Sequence, residues 1–398
     1  MSRNINSRYG GFSRGRSYSG RPRRRANVSS IDSSKYINKA ADLPEQIEEP
    51  IKHRFTDFSL NGQIVERVKV KGFVTPTPIQ DKAIPLVMGN KDVIGIADTG
   101  TGKTAAFLLP LIHKMLKDRS QRALIVVPTR ELAVQIEEEL REFSSGMKIF
   151  SALCICGAGF GNQLRSLSRN PQFIIGTPGR LMDHVNRRSL RLQDVANLVL
   201  DEADRMVDMG FINDIKKLIS FLPNERQSLF FSATITPEVR SLINNFTKNP
   251  ESVSVKKRET SRNVDQDIVR FVDQFQKMTL LHDILNQEDA KKVLIFGRTK
   301  HGVERLSNSL IDRGFSSISI HGNKTQTQRQ KAITAFKSGK ADILVATDVA
   351  ARGLDIPGVS MVINFDAPEN YSDYVHRIGR TGRADQKGKA LTFVGLGA

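Results

Sequence analysis

The 398 residues, 39% hydrophobic and 26% charged, are enough for roughly two or three hydrophobic cores and exclude wholesale disorder. Sixty Lys and Arg against 42 Asp and Glu give a formal charge of +18, which points first to nucleic acid as a partner and second to an anionic membrane surface. Two cysteines cannot make a disulfide framework, no apolar run approaches the ~20 residues of a membrane span, and the N-terminus lacks an apolar signal segment, so a soluble cytoplasmic protein is expected.

Residues 1–25 hold eight arginines and no acid, interleaved with Gly, Ser, Tyr9, Phe12 and Tyr18. Such a stretch cannot build a core, and residues 1–50 are expected to form a disordered basic extension. It reads equally as a solubilising tail or as an arm lying along single-stranded nucleic acid, charges on phosphates and rings on bases. Removing its +8 leaves +10, so the body is basic in its own right.

From about Phe55, apolar runs of strand length alternate with helical stretches. The runs 92–96, 123–127, 172–175, 197–200 and 228–231 each precede a turn and a helix, the signature of an open, mostly parallel sheet with helices on both faces. They define a first α/β domain over 51–250. Charge, Ser and Thr then break the rhythm, and 251–263 reads as a linker. A second series, 268–272, 292–296, 317–320, 342–346 and 361–364, gives a second α/β domain over 264–398. Cys154 and Cys156 fall in an apolar strand, 153–156, as small buried thiols, and His53, His113, His184, His282 and His301 show no metal-ligand spacing.

The segment Ala97-Asp-Thr-Gly-Thr-Gly-Lys-Thr104 follows the first strand and precedes a helical run, the setting in which a glycine turn becomes a phosphate cradle. Gly100 and Gly102 let backbone N–H groups curl round phosphate oxygens, Lys103 supplies a point charge, and Thr104 offers a hydroxyl to Mg²⁺. The strict pattern has Gly where this chain has Ala97, so a chance glycine turn is the alternative at this point. A nucleotide site also needs acidic ligands at the end of a neighbouring strand, and 197–200 runs into Asp201-Glu-Ala-Asp204. Asp201 suits the metal shell and Glu202 the orientation or deprotonation of a water. Alone, the tetrapeptide also reads as a solvated helix start.

With both segments in place, the chain resembles the DEAD-box RNA helicases of superfamily 2 from about Phe55 to its last residue, in style nearest the bacterial RhlE subgroup. Further segments carry the resemblance in family order: 72–80, Pro128-Thr-Arg-Glu-Leu132, Thr177-Pro-Gly-Arg180, Ser232-Ala-Thr234, Gln326-Thr-Gln-Arg329, 346–355 and His376-Arg-Ile-Gly-Arg-Thr-Gly-Arg383. It implies two tandem RecA-like P-loop domains that use ATP and Mg²⁺. It implies that Thr77 and Gln80 meet the adenine, Gln80 reading its edge, and that Phe55 stacks on the ring, with Phe58 as competitor and a core aromatic as the alternative. Thr99, Gly100, Thr101, Gly102, Lys103 and Thr104 would hold the phosphates, Thr104 and Asp201 the metal, and Gly353 and Asp355 the ribose. Arg380 and Arg383, three apart on a helix expected from near Tyr371, would share one face and reach across the cleft as arginine fingers, with Gly379 and Gly382 allowing close backbone approach. Asp204, Ser232, Ala233, Thr234 and His376 are implied to relay the nucleotide state to the RNA.

Pro128, Thr129, Arg130, Gly157, Thr177, Pro178, Gly179, Arg180, Arg298, Thr299, Gln326, Arg329, Thr347 and Asp348 all follow strand ends and should line one edge of the two sheets. Hydroxyls, N–H groups and arginines there suit phosphates and 2′-hydroxyls, so binding should ignore sequence and weaken steeply with salt. Singly, each reads as readily as a loop cap or a surface charge. Gly157-Ala158 stands where the family often has Gly-Gly, and the extra methyl could loosen the grip. The expected activity is RNA-stimulated ATP hydrolysis coupled to local, non-processive duplex unwinding. The chain is expected to act as a monomer, beside RNA-processing, ribosome-assembly or RNA-decay proteins and away from membranes. A DNA-stimulated helicase, and an ATP-dependent RNA clamp or chaperone with little unwinding, stay open as alternatives. The chain stops at Ala398 where the family continues into a closing helix, so it is expected either to be a truncated form or to have an uncovered face on its second domain.

Overall fold

In a computed structural model, the described residues are 36–38, 50–98, 100–255, 263–351, 356, 358–382 and 387–396. They form two α/β lobes. The first carries β1 (Val93–Ile96), β2 (Ala123–Val126), β3 (Ser151–Cys154), β4 (Phe173–Gly176), β5 (Asn197–Asp201), β6 (Gln227–Ser232) and β7 (Glu251–Ser254), in the order β3-β4-β2-β5-β6-β1-β7. The second carries β8 (Val264–Phe271), β9 (Val293–Phe296), β10 (Ser317–Ile320), β11 (Ile343–Ala346), β12 (Met361–Asn364) and β13 (Gly388–Gly395), in the order β10-β11-β9-β12-β13-β8. Every pairing between these strands is parallel.

Alternate side chains of each inner strand enter different cores. Ile125 joins the layer under the helices Pro78–Met88, Lys103–Lys117 and Arg130–Phe143, whereas Leu124 and Val126 join the layer on the opposite face. In the second lobe Val293 and Ile295 divide from Leu294 and Phe296 in the same way. Covering both faces is why these strands read as unbroken apolar runs. Among the described residues no helix is long and apolar enough to cross a membrane.

Three expectations change. Residues 251–254 are not linker: β7 pairs with β1, and the Asp92 carboxylate fastens its lead-in by accepting the Lys248 N–H at 2.7 Å and that of Ser228 at 2.7 Å. As an edge strand with only Val253 buried, β7 has the polar composition of a linker. The extension is not wholly outside the fold either. Tyr36 is 3% exposed inside the second lobe's core, and Asn38 forms an antiparallel bridge to Gln266 on β8. The arginine-rich residues 1–25 lie outside the described residues. Finally, β3 ends at Cys154, so Cys156 lies past the strand and is half-buried, while burial pushes the Cys154 thiol up to about 12.

Phe231 is fully buried, its centroid 5.4 Å from that of Phe107, and lies over Gly95 so closely that a side chain there would strike the ring. Phe231→Ala should therefore cost about 3–5 kcal/mol. A lower urea midpoint for the first lobe's transition, at unchanged slope, is the expected reading.

Candidate functional site

The loops that carry the expected site residues leave the carboxyl ends of the strands, where open parallel sheets bind ligands. Strand order divides this edge. Residues 97–104, 201–204 and 232–234 follow β1, β5 and β6, neighbours in one half of the first sheet; 128–130, Gly157 and 177–180 follow β2, β3 and β4 in the other. In the second lobe 298–299, 326–329 and 347–348 follow β9, β10 and β11, again adjacent strands.

In the first half, Gly100 and Gly102 take φ of 84° and 91°, left-handed values open to glycine, and the helix Lys103–Lys117 begins immediately behind them. Any side chain at Gly102 would collide with Gln80 and press on Thr77. Gln80 Nε2 donates to the Gly102 carbonyl at 3.0 Å and its Oε1 accepts from the Thr77 N–H at 3.0 Å. The amide thus ties the helix Pro78–Met88 to the loop and keeps one further N–H and one lone pair. Thr77 Oγ1 is buried without a hydrogen-bond partner. Lys103 Nζ donates to the Ala97 carbonyl at 2.7 Å and Thr101 Oγ1 to the Asp98 carbonyl at 2.8 Å, so the loop's own side chains hold it in a cradle, with Thr104 half-buried beside it. Thr99 lies outside the described residues. Phe55 is 4% exposed and sits edge-on to Phe58 in the core, so the core-aromatic alternative describes it as it stands.

Asp201 ends β5 at 3% exposure and accepts the Glu202 N–H at 2.9 Å. Glu202 takes φ 55°, a strained value for this residue of the kind that clusters at functional sites, and its carboxylate accepts from Arg205 at 2.7 Å. Asp204 Oδ2 accepts both the Thr234 N–H at 2.9 Å and the Thr234 hydroxyl at 3.0 Å. The Asp204 N–H donates to Ser232 Oγ, which in turn donates to the Thr234 carbonyl; Ala233 lies between these two contacts. The expected link between 201–204 and 232–234 is thus a closed hydrogen-bond ring.

No cluster of three metal-ligating side chains occurs among the described residues. That fits Mg²⁺, which usually takes one or two carboxylates plus phosphate and keeps its waters. A buried carboxylate such as Asp201, with a hydroxyl at Thr104, is a suitable donor set.

The second half gathers arginines and a glycine turn from both lobes. A side chain at Gly157 (φ 83°) would strike Arg130 Nη1 and reach Gln326 on the other lobe. Arg329, also from the second lobe, pairs with Glu131 at 2.9 Å, both below 10% exposure. Burial raises the Glu131 carboxyl, with the Arg329 charge pulling against it. The Gln326 amide lies beside this pair, its nitrogen and oxygen buried outside hydrogen-bonding geometry. Arg180 sits 5.5 Å over the Phe160 ring and 3.6 Å from Asp183, with Nε and Nη1 buried and unbonded. Phe160 in turn stacks at 4.5 Å on His184, a histidine satisfied by Ser189 and Gln163. Ala158 packs toward the first lobe's core, so protein accommodates its methyl. Thr129 and Thr299 cap helices through their hydroxyls, Thr177 precedes the helix Pro178–Asn186, Pro128 and Pro178 are buried, and Gly179 is exposed. Arg298 is exposed, its N–H fixed by Asp366 at 2.9 Å.

Several residues behave differently from expectation. Asp348, after the half-buried Thr347, is taken up in a bidentate pair with Arg377 at 2.6 and 2.7 Å. Arg377 also donates to the Asn364 side chain and the Asp366 carbonyl; it escaped notice between His376 and Arg380 because a single arginine on a helix reads as surface charge. Arg380 is not on the helix. The helix Tyr371–Ile378, which carries the half-buried His376, ends at Gly379, and Arg380 follows it at 3% exposure. Gly382 (φ 65°) would, with a side chain, press on Val264 and the Asn263 carbonyl. Gly353, Asp355 and Arg383 lie outside the described residues. Glu131, Lys277 and Phe160 were also missed. Lys277, 3% exposed, binds Asp366 at 3.2 Å and lies 3.8 Å over Phe365.

Two protein-family models match the chain, DEAD/DEAH box helicase over 77–242 and helicase conserved C-terminal domain over 276–385. ATP-dependent RNA helicase CshA of Listeria monocytogenes is 48% identical over 86% of this chain and 66% of its own length. DEAD-box ATP-dependent RNA helicase CshA of Bacillus subtilis is 45% identical over 85% and 69%. The chain therefore spans about two thirds of these relatives, which carry the name CshA rather than RhlE. Among solved structures, S. cerevisiae Dbp5 bound to RNA and ADP BeF3 is 32% identical, aligns over 86% of this chain and 89% of its own, and has a TM-score of 0.75. Mss116p bound to ssRNA and AMP-PNP is 28% identical over 88% and 76%, with a TM-score of 0.78.

Burial, opposed by Lys103 and reinforced by Glu202, pushes Asp201 up to about 6 from 3.8. The folded protein then holds a proton that the unfolded chain gives up, so this group's contribution to stability falls as pH rises through that window. The melting temperature of wild type, measured relative to Asp201→Asn, should drop between those two values and level off above. A difference that stays flat across the window contradicts the assigned environment.

Proposed function

The chain belongs to the DEAD-box family of ATP-dependent RNA helicases, and we propose that ATP with Mg²⁺ sits on the β5-β6-β1 half of the first lobe while an RNA backbone runs over the adjoining edges β3-β4-β2 and β10-β11-β9. The observation that carries this reading is the buried Arg329–Glu131 pair, which joins these edges across the lobes beside the buried Gln326 amide. Likeness to solved helicases holding both RNA and a nucleotide analogue supports taking this arrangement as the closed one.

Lys103 would exchange the Ala97 carbonyl for a phosphate oxygen. Thr104 and Asp201 would hold Mg²⁺, which would supply neutralisation of phosphate charge. Glu202, oriented by Arg205, would position the attacking water and accept its proton. Gln80 would use its spare N–H and lone pair on the adenine edge, with Thr77 beside it and Phe55 stacking only once its ring is uncovered. Arg380 and Arg383 would meet the γ-phosphate from the second lobe, and Gly353 and Asp355 the ribose. Such fingers are worth on the order of 10³ to 10⁵ in rate, about 4–7 kcal/mol of barrier. The ring through Asp204, Ser232 and Thr234, together with His376, would pass the nucleotide's state to the RNA side.

Arg130, Arg180, Arg298 and the loop N–H groups near Gly157, Gly179 and Thr347 would grip phosphates and 2′-hydroxyls, giving sequence-independent binding. Because both ligands favour closed lobes, each should tighten the other, and closure on one strand would bend it away from its partner locally. The proposed working form is a monomer in the cytoplasm, where ATP and RNA meet, acting beside proteins of RNA processing, ribosome assembly or decay.

Lys103→Ala should abolish ATP binding, whereas Glu202→Gln should bind ATP and RNA and lose turnover. Phosphate release measured with RNA, with DNA and with neither is the test; equal rates in wild type and Glu202→Gln, or equal stimulation by DNA, contradict it. Arg329→Ala leaves a buried carboxylate unpaired, at about 3–5 kcal/mol. RNA affinity in the presence of a non-hydrolysable ATP analogue should fall on the order of 10²-fold by fluorescence anisotropy, with nucleotide affinity in the absence of RNA unchanged.

A further inference from the structure

One short piece of the N-terminal extension belongs to the second lobe. Tyr36 is 3% exposed, and its ring centroid stands 4.8 Å from that of Tyr374, which is fully buried on the helix Tyr371–Ile378. Two residues on, the Asn38 N–H donates to the Gln266 carbonyl at 3.0 Å and its carbonyl accepts the Gln266 N–H at 2.7 Å. Gln266 lies on β8, the edge strand of the second sheet, and its side-chain oxygen accepts the Tyr374 hydroxyl at 2.9 Å. The three residues therefore hold the helix from two sides, by ring contact on Tyr374 and through the strand that Tyr374 binds.

That helix leads directly into Arg380, the group assigned to hydrolysis. Arg377, one turn beyond Tyr374, is locked to Asp348, Asn364 and the Asp366 carbonyl, and its charge reaches the Tyr36 phenol, pulling down a pKa that burial raises. Arg380 follows two residues past the helix end, and Gly382 rests on Asn263 and Val264 at the start of β8. Eight residues cannot keep a helix in place by their own hydrogen bonds; packing sets its position. Uncovering Tyr374 frees the helix to shift, and a displacement of about 1 Å at a reacting centre costs on the order of 10²-fold in rate.

We propose that Tyr36–Asn38 is a positioning element for hydrolysis, holding the helix Tyr371–Ile378 so that Arg380 meets the nucleotide bound on the first lobe. The proposal rests on the assignment of Arg380 as a finger, and the experiment separates the two. In the full chain, Tyr36→Phe, Tyr36→Ala, Asn38→Pro and Arg380→Ala are compared for RNA-stimulated kcat, KM for ATP and melting temperature. Asn38→Pro removes the donor of the bridge and leaves the Tyr36 ring in place.

Tyr36→Ala and Asn38→Pro should each lower kcat on the order of 10- to 100-fold with KM for ATP unchanged, since the nucleotide's own lobe is untouched, and Tyr36→Phe should keep the wild-type rate. Wild-type kcat in folded Tyr36→Ala and Asn38→Pro, with Arg380→Ala inactive, overturns the proposal and spares the finger. Wild-type kcat in Arg380→Ala shows that the finger assignment has failed instead. Activity lost only in proportion to unfolded protein also overturns it, because a purely structural part would give that result.

Discussion

Parallel strands cannot be joined by tight turns, and every return of the chain must cross a face of the sheet. In both lobes the crossing helices cover the two faces, so the carboxyl ends of the strands are the places left where polar side chains can meet a ligand. The chemistry then follows from strand order. Placing β1, β5 and β6 side by side gathers the glycine turn at 97–104, an acidic turn and the Ser232–Thr234 ring, while β3, β4 and β2 gather arginines and loop N–H groups. The order β3-β4-β2-β5-β6-β1-β7 keeps the two groups on adjoining halves of one edge.

The second consequence is electrostatic. Lys103, Asp201, Glu202, Asp204, Arg205, Glu131, Arg329, Arg377 and Arg380 are all below 10% exposure. Buried ion pairs are weak contributors to stability, since desolvation offsets most of the attraction. The Arg329–Glu131 pair has the further property of spanning the lobes, so it forms only when they adjoin.

What could be read from the chain alone divides along burial. Inner strands are apolar runs because both faces are covered, so eight of the nine were visible as such, β13 excepted, together with the edge strands β8 and β10, and its glycines made the turn at 97–104 legible. The edge strand β7 was invisible because Val253 is its one buried side chain. The end of the helix Tyr371–Ile378 was overrun because nothing in the spacing of Arg380 and Arg383 marks a stop, whereas the packing of Gly382 on β8 requires one. Arg377, Glu131 and Lys277 went unnoticed for a common reason. Each owes its role to a partner tens to hundreds of residues away, and a charged residue on a helix carries no local trace of such a partner.

The burial of Tyr36 sets an order of events during synthesis. Tyr36 leaves the ribosome before any of the first lobe, and the core it enters is finished only by β13, at 388–395. The whole of the first lobe is made, and can fold, in the interval. The second lobe then closes on a ring translated more than three hundred residues earlier, so an interior contact of one lobe encircles the other. Loop-closure entropy grows only slowly with such a span, but the encounter is slow, and until it happens Tyr374 has no cover from that side.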